Sequence, residues 1–447
     1  MKRRTFMKSA GAGSVPLLAG NSGSGPKSAG PVLAGMSLTD LRNRYRSELF
    51  ESYLPFWDRF GIDHEHGGFM CSLDYDGARA NTDKLLWFQG RGIWIYSFLY
   101  NHFGKDAHYL DIARKTRNFV LKHAPQPDGW WAEEFTRDGR VKKAFTGDIY
   151  GMYFVAEGLQ EYAWATQDDD VREAAFGLVK KLYRYMDRPD FRFMGDGDPG
   201  VRAQGLWMVN LRIATQILRR WKDAEIAAIA DRSVDMVINR HYNPDIGLNN
   251  EMLNFDLSRP KGEETKSLLG HSIETLWMIQ DEANRRKDPK LWDTCAERIH
   301  RHIEVGWDHV FGGLSQWINV DQGGYVWPPE RPVGTDLEFR FTGEYQYMKP
   351  LWALHEILLA TLNVFERTGA EWAARFFRMA QDVIDAKFSM KKRGLPGYML
   401  FGDRRMTYQP HAARQDNYHP PRQLMLTILT LDRMIRRGVS RQSPPHA

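Results

Sequence analysis

Apolar residues recur every three to four positions through about twelve stretches of the chain, the spacing of helices with buried faces: 39-57, 86-103, 107-122, 146-165, 170-187, 205-220, 223-238, 269-285, 289-305, 348-367, 371-387 and 418-436. The connections between them alternate in length. Those after the second, fourth, sixth, eighth and tenth stretches span two to four residues, as antiparallel helix hairpins need. Gly104, Gln167 to Asp170, Arg285 to Pro289 and Gly369 supply stop signals there. Those before the even-numbered stretches are long, for example 58-85, 239-268 and 306-347, and rich in Gly, Asp and aromatics. All the long loops must therefore gather at one end. Twelve helices in six hairpins predict an all-α fold, a closed (α/α)6 barrel or six-hairpin toroid, with an open helical solenoid as the alternative. Gly312-Gly313-Leu314-Ser315-Gln316-Trp317 and Gly323-Gly324-Tyr325-Val326-Trp327 read as short β-hairpins at the crowded end.

Composition refines this picture at the N-terminus. The 447 residues carry 61 Lys and Arg against 56 Asp and Glu. The surplus of five is Lys2, Arg3, Arg4, Lys8 and Lys27, so residues 37-447 are neutral overall. A neutral folded part lacks the electrostatic footprint of nucleic-acid binding. Paired arginines followed by small apolar residues through Leu17, Leu18 and Ala19 read as a twin-arginine-like export signal, with a disordered basic tail as the plain alternative. The division expected is 1-36 as export signal and flexible linker and 37-447 as one catalytic domain, in the periplasm or outside the cell. No stretch reaches the roughly 18 apolar residues of a membrane span. Cys71 and Cys295 are paired or free on this reading, and monomer and homodimer are both open.

Polar and aromatic residues that a core helix would avoid cluster at the starts of the even-numbered helices: Gln89 and Arg91; Asp148 and Tyr150; Trp207 and Asn210; His271 and Glu274; Lys349, Trp352 and Glu356; His419 and Arg422. Any one of these reads equally well as a cap or a buried, paired polar residue. Recurrence at six equivalent helix starts points to one pocket at the barrel mouth. His271 and Glu274 are three apart on one helical face, where the carboxylate could fix the imidazole tautomer. His419 precedes Pro420 and Pro421, which suit a first helical turn. The positive potential of a helix N-terminus would keep its imidazole neutral, as a base requires. Asp63-His64-Glu65-His66-Gly67-Gly68 packs four metal-ligating side chains into a turn but lacks the helical spacing of catalytic zinc sites, so no metal is expected. No Walker loop, dinucleotide glycine fingerprint or nucleophile elbow occurs. Trp87, Trp130, Trp131, Trp207, Trp317 and Trp327 lie in or beside the long loops, where flat aromatic faces suit sugar C-H surfaces.

Five motifs in order carry a resemblance. They are Pro55-Phe56-Trp57 with Glu65-His66-Gly67-Gly68-Phe69; Lys84 through Trp87-Phe88-Gln89-Gly90-Arg91 and Trp94; Gly270-His271-Ser272-Ile273-Glu274 with Trp277; Met348-Lys349-Pro350-Leu351-Trp352 with His355-Glu356; and Tyr418-His419-Pro420-Pro421-Arg422. From about Leu54 to Ile435 the chain resembles the N-acylglucosamine 2-epimerase family, within the superfamily of cellobiose 2-epimerases and mannose isomerases. The resemblance implies an (α/α)6 barrel and a cofactor-independent sugar 2-epimerase acting on an aldose or N-acyl-hexosamine. It assigns His271 and His419 as the two catalytic bases, Arg91 to the developing enolate, Glu274 to orienting His271, and Glu251 to substrate hydroxyls. Gln89, Trp87, Asp148, Tyr150, Asn210, Lys349, Trp352 and Arg422 are expected to line the sugar site. The chain departs from the family in having Leu268-Leu269 before Gly-His, and Leu395-Pro396-Gly397-Tyr398 where a Gly-Glu-Trp is usual.

Inverting C2 of an aldose requires opening the ring, removing the proton beside C1, holding an enolate and returning a proton on the opposite face, hence two bases. Three other readings compete: an aldose-ketose isomerase of the same fold, an α/α-barrel glycoside hydrolase using Asp148 and Glu251, and a sugar-binding protein without turnover.

Overall fold

The computed structural model describes residues 32-321, 323-324 and 348-438. The paired arginines of the expected export signal and Trp327 lie outside the described residues.

Among the described residues twelve principal helices follow one another: α1 (Leu38–Ser47), α2 (Leu86–His102), α3 (Ala107–His123), α4 (Tyr150–Thr166), α5 (Asp169–Met186), α6 (Gln204–Leu218), α7 (Ala224–Asp235), α8 (Leu269–Arg286), α9 (Pro289–Gly306), α10 (Leu351–Thr368), α11 (Glu371–Val383) and α12 (His419–Arg437). α1 runs on through wider turns to Gly61. The even-numbered helices form an inner ring in which each packs on the next and α12 returns to α2. The odd-numbered helices form the outer ring. α1 packs on α12 and so joins the first and last of these helices, tied by the Arg42 Nη1 to Asp432 Oδ1 ion pair at 2.8 Å. This is the (α/α)6 barrel.

Burial explains why the two rings differ in sequence. Inner helices touch neighbours on every side, so thirteen residues of α2 and fourteen of α4 are buried and the sequence is apolar around the whole circumference. Outer helices bury one stripe: α11 buries only Ala373, Phe376, Phe377, Ala380 and Gln381. The contact between α2 and α4 needs glycine, because a Cβ on Gly90 of α2 would lie 2.3 Å from the Phe154 carbonyl carbon of α4.

The two ends of the barrel are built differently. At the short-turn end, Gln167 and Lys287 leave their inner helices in the left-handed conformation. Asp168 and Asp288 then cap the following outer helices through the amides of Val171 and Leu291. At the other end, α2, α6, α8 and α10 are entered from short strands that pair with a strand of the next long loop. Lys84–Leu85 pairs with Glu134–Phe135, Arg202–Ala203 with Met252–Leu253, Lys266–Leu268 with Trp317–Asn319, and Lys349–Pro350 with Phe401–Gly402. Trp317–Asn319 also pairs with Gly323–Gly324, which realises part of the second expected hairpin.

Two of these loops repeat one device. The Lys84 ammonium donates to Asp63 Oδ2 at 2.9 Å and to the carbonyls of Gly67 and Arg137 at 2.6 and 2.7 Å. The Lys349 ammonium donates to Asp308 Oδ2 at 2.7 Å and to the carbonyls of Gly312 and Arg404 at 2.6 and 2.7 Å. Each lysine gives two protons to a loop that begins Asp-His and ends Gly-Gly and the third to a carbonyl of another loop, Arg137 or Arg404, which makes both of them struts.

Cys71 and Cys295 are buried, free thiols. No helix among the described residues is long and apolar enough to cross a membrane.

Candidate active site

The long loops and the starts of the inner helices enclose a cavity of about 410 Å³. Of the residues singled out from the sequence, His271, His419, Arg91, Glu274, Glu251, Trp87, Tyr150, Trp352 and Arg422 line it.

His271 and His419 arrive from α8 and α12, and both rings lie against the same indole. The Trp352 ring centroid is 5.4 Å from that of His271 and 5.8 Å from that of His419. Gly270 permits this approach, since a Cβ there would lie 2.3 Å from the Trp352 ring. A Cβ on Gly205 would likewise meet the Tyr150 hydroxyl at 2.4 Å and the His271 ring at 3.2 Å. Each imidazole has a carboxylate on Nδ1, Glu251 Oε1 at 3.0 Å from His271 and Asp416 Oδ2 at 2.6 Å from His419. Nε2 of each ring is thereby fixed as the other working nitrogen.

Charged neighbours push the two rings in opposite directions. Burial disfavours the imidazolium of His271, but Glu251, with Glu274 and Glu356 behind it, outweighs burial and raises the pKa above 6.5. For His419, burial together with the positive charges of Arg91 and Arg422 outweighs Asp416, and the pKa falls below 6.5. The helix-start position expected to keep His419 neutral thus has a different main cause, burial beside two arginines. Asp416 itself is held well below the usual carboxylate range, because His419 and Arg91 overcome its burial.

Below the rings lies a layer of buried ion pairs. Arg422 Nη2 donates to Glu274 Oε1 and Glu356 Oε1, each at 2.6 Å, and Trp277 Nε1 donates to Glu356 Oε2 at 2.8 Å. Burial, reinforced by the Glu274 charge, pushes the Glu356 carboxyl up. Arg212 Nε donates to Glu157 Oε1 at 2.5 Å, and the Tyr418 hydroxyl donates to Glu157 Oε2 at 2.7 Å. Glu274, Glu356 and His419 bring ligand-type atoms within 4.8 Å of one another. The guanidinium of Arg422 stands between the two carboxylates, however, so the group does not suit a cation.

Several expected roles need correction. Glu274 faces Arg422, and the residue on His271 is Glu251; three-residue helical spacing made Glu274 reachable, but the stronger cation drew it away. Arg422 lines the cavity with its charge engaged by two carboxylates. Gln89 is fully buried, exchanging hydrogen bonds with the Phe69 backbone at 2.7 and 3.0 Å. Asn210 donates back to the Leu206 carbonyl within its own helix. Lys349 is the strut described above. Asp148 accepts Trp87 Nε1 at 2.8 Å and the Tyr150 amide at 2.9 Å, so both oxygens are taken in aligning two cavity aromatics. Of the two carboxylates that a glycosidase reading would use, Glu251 lines the cavity and Asp148 does not. Asp63 of the Asp63-to-Gly68 turn, where no metal was expected, pairs with Lys84 and Arg137. Sequence reasoning missed Asp416, Glu157 and Arg212. The Asp-x-x-His spacing at 416-419 was the one signal available, since it places the carboxylate to receive the Tyr418 and His419 amides as well as the ring.

The sequence profile of N-acylglucosamine 2-epimerase (GlcNAc 2-epimerase) matches residues 67–421. The chain is 25% identical over 430 residues to the N-acylglucosamine 2-epimerase of Bos taurus, covering 92% of this chain and 96% of that one. The solved structure of cellobiose 2-epimerase from Bacillus thermoamylovorans superposes with a TM-score of 0.72 at 17% identity, covering 88% of this chain and 100% of that one. A D-mannose isomerase structure gives 0.71 at 13% identity, covering 89% and 98%.

Proposed function

The chain belongs to the N-acylglucosamine 2-epimerase family, a family of enzymes, and on that premise we propose that it is a cofactor-independent isomerase that inverts C2 of an aldose or N-acyl-hexosamine, of the N-acetylglucosamine and N-acetylmannosamine type. The observation that carries the reading is the pair of carboxylate-bound imidazoles against one indole, one biased towards imidazolium and the other towards the neutral ring.

The open-chain sugar lies along Trp352 with C2 between the two Nε2 atoms. His419, neutral, removes the C2 proton from one face. The electron pair moves onto O1 as an enolate, held by the Arg91 guanidinium, and His271, protonated, delivers its proton to the opposite face of C2. The product has inverted C2, and the pair again holds a single proton, now on the other ring. Oriented charge of this kind contributes about 3 to 4 kcal/mol of transition-state stabilisation in other enzymes. Glu251 Oε2 and the Tyr150 hydroxyl, both buried and without a partner among the described residues, are placed for sugar hydroxyls.

An aldose-ketose isomerase is the second reading, favoured by the similarity to the D-mannose isomerase structure; it needs only one base moving a proton from C2 to C1. Incubation with candidate aldoses in deuterium oxide separates the two. The epimerase reading expects a C2 epimer carrying deuterium at C2, whereas a ketose as the first product overturns it.

A further inference from the structure

Arg91 differs from Arg212, Arg422 and His271, which share the cavity with it. Arg212 is paired with Glu157, Arg422 with Glu274 and Glu356, and His271 with Glu251. No carboxylate pairs with Arg91 among the described residues. Its guanidinium carbon lies instead 4.1 Å from the ring centroid of Phe154, 4.7 Å from that of Tyr418 and 5.4 Å from that of Trp87. Its Nε is buried without a hydrogen-bond partner. Two anchors fix the cage: Glu157 holds the Tyr418 hydroxyl and Asp148 holds the Trp87 indole N–H. Asp416, the carboxylate acting most strongly on Arg91, is engaged by the His419 ring and the Tyr418 and His419 amides. Aromatic faces hold a cation through their quadrupoles without cancelling its charge. A guanidinium kept in that way, 8% exposed and open to a cavity, calls for an anion that presents two oxygens to its planar fork.

We propose that Arg91 in its cage is a carboxylate-binding site for C1 of open-chain sugar acids, so that the cavity takes aldonates in preference to the alditols of the same carbon skeleton. The inference rests on the epimerase reading in placing C1 at Arg91. An aldonate puts at C1 a planar, two-oxygen anion close in charge to the enolate, and it has no ring to open. The products of aldose-oxidising reactions are then competitive inhibitors of this chain. Phe154, which covers one face of the guanidinium, is a positioning residue for the same interaction.

Titration calorimetry on the full chain tests this with two matched pairs, D-gluconate with D-glucitol, and N-acetyl-D-glucosaminate with N-acetyl-D-glucosaminitol. In at least one pair the acid binds roughly ten- to a hundredfold more tightly than its alditol, the size of a charge-assisted hydrogen-bonded pair. Arg91→Met abolishes that ratio, Phe154→Leu reduces it and Phe154→Tyr keeps it. A variant that is merely misfolded would weaken acid and alditol alike and leave the ratio in place. Equal affinities in the unaltered chain, or a preference that survives Arg91→Met, overturn the proposal. Turnover of aldoses without acid preference sinks this inference alone, while acid preference with no aldose turnover keeps the anion site and sinks the epimerase reading.

Discussion

The two halves of the cavity are chemically alike and electrostatically opposed. On α8, His271 is surrounded by Glu251, Glu274 and Glu356 and favours the imidazolium. On α12, burial of His419, helped by Arg91 and Arg422, outweighs its own carboxylate and favours the neutral ring. Both rings are buried and both carry a carboxylate on Nδ1, so the opposed biases come from what stands around each pair: Glu274 and Glu356 add to Glu251 at His271, whereas Arg91 and Arg422 add to burial at His419. One acid and one base on opposite faces of a carbon is the arrangement that C2 inversion needs.

The sharpest way to break this comparison is to delete either ring. His419→Ala or His271→Ala is expected to lower kcat/KM by about 10^2- to 10^4-fold, measured by product analysis of both epimers. Next comes Arg91→Met, which serves both half-sites and is expected to cost about 10^2- to 10^3-fold in kcat. A variant within a few-fold of the unaltered enzyme would remove the enolate role.

Smaller effects sharpen the assignment. The working site holds one proton on the pair. Activity is therefore lost as pH falls through the His419 pKa, below 6.5, and again as pH rises through the His271 pKa, above 6.5. Glu251→Gln removes the charge that raises His271, so the alkaline limb of the kcat/KM profile moves to lower pH. Asp416→Asn removes the charge that opposes burial at His419, so the acid limb moves to lower pH. Each unit of movement corresponds to about 1.4 kcal/mol of lost interaction. Interchanged shifts would mean that the two half-sites are wrongly assigned.

The smallest effect on catalysis is expected outside both halves. Lys349→Met and Lys84→Met should each destabilise folding by about 3 kcal/mol, as loss of one partner of a buried pair does, seen in denaturant unfolding. The surviving folded fraction should turn over within about twofold of normal. A specific loss of activity in Lys349→Met alone would return that lysine to the sugar site.

These struts show how much of the site was legible in the sequence. The helices could be read because an inner ring covered on all sides must be apolar all round, while an outer ring must show one stripe. Position at an even-numbered helix start located the correct end of the barrel, and His271, His419, Arg91 and Trp352 do meet there. It carried no information on which way a side chain turns. Asp148 and Lys349 lie just ahead of α4 and α10, in loop and strand, where unsatisfied backbone and indole N–H groups or loop carbonyls compete for them. Gln89, inside α2, is taken by the Phe69 backbone in the same way. Glu274 was in reach of His271, but the choice between a histidine and a buried arginine depends on α12, which lies 148 residues away. Asp416 was hidden by the same limitation, as loop residues show no periodicity.

The most direct measurement is solvent exchange at C2 by the single-histidine variants, followed by proton resonance in deuterium oxide from each pure epimer. With one base on each face, His419→Ala should exchange the C2 proton of only one epimer and His271→Ala that of only the other, and neither should interconvert them. A variant lacking one imidazole that still exchanges both epimers, or still inverts C2, would contradict the account.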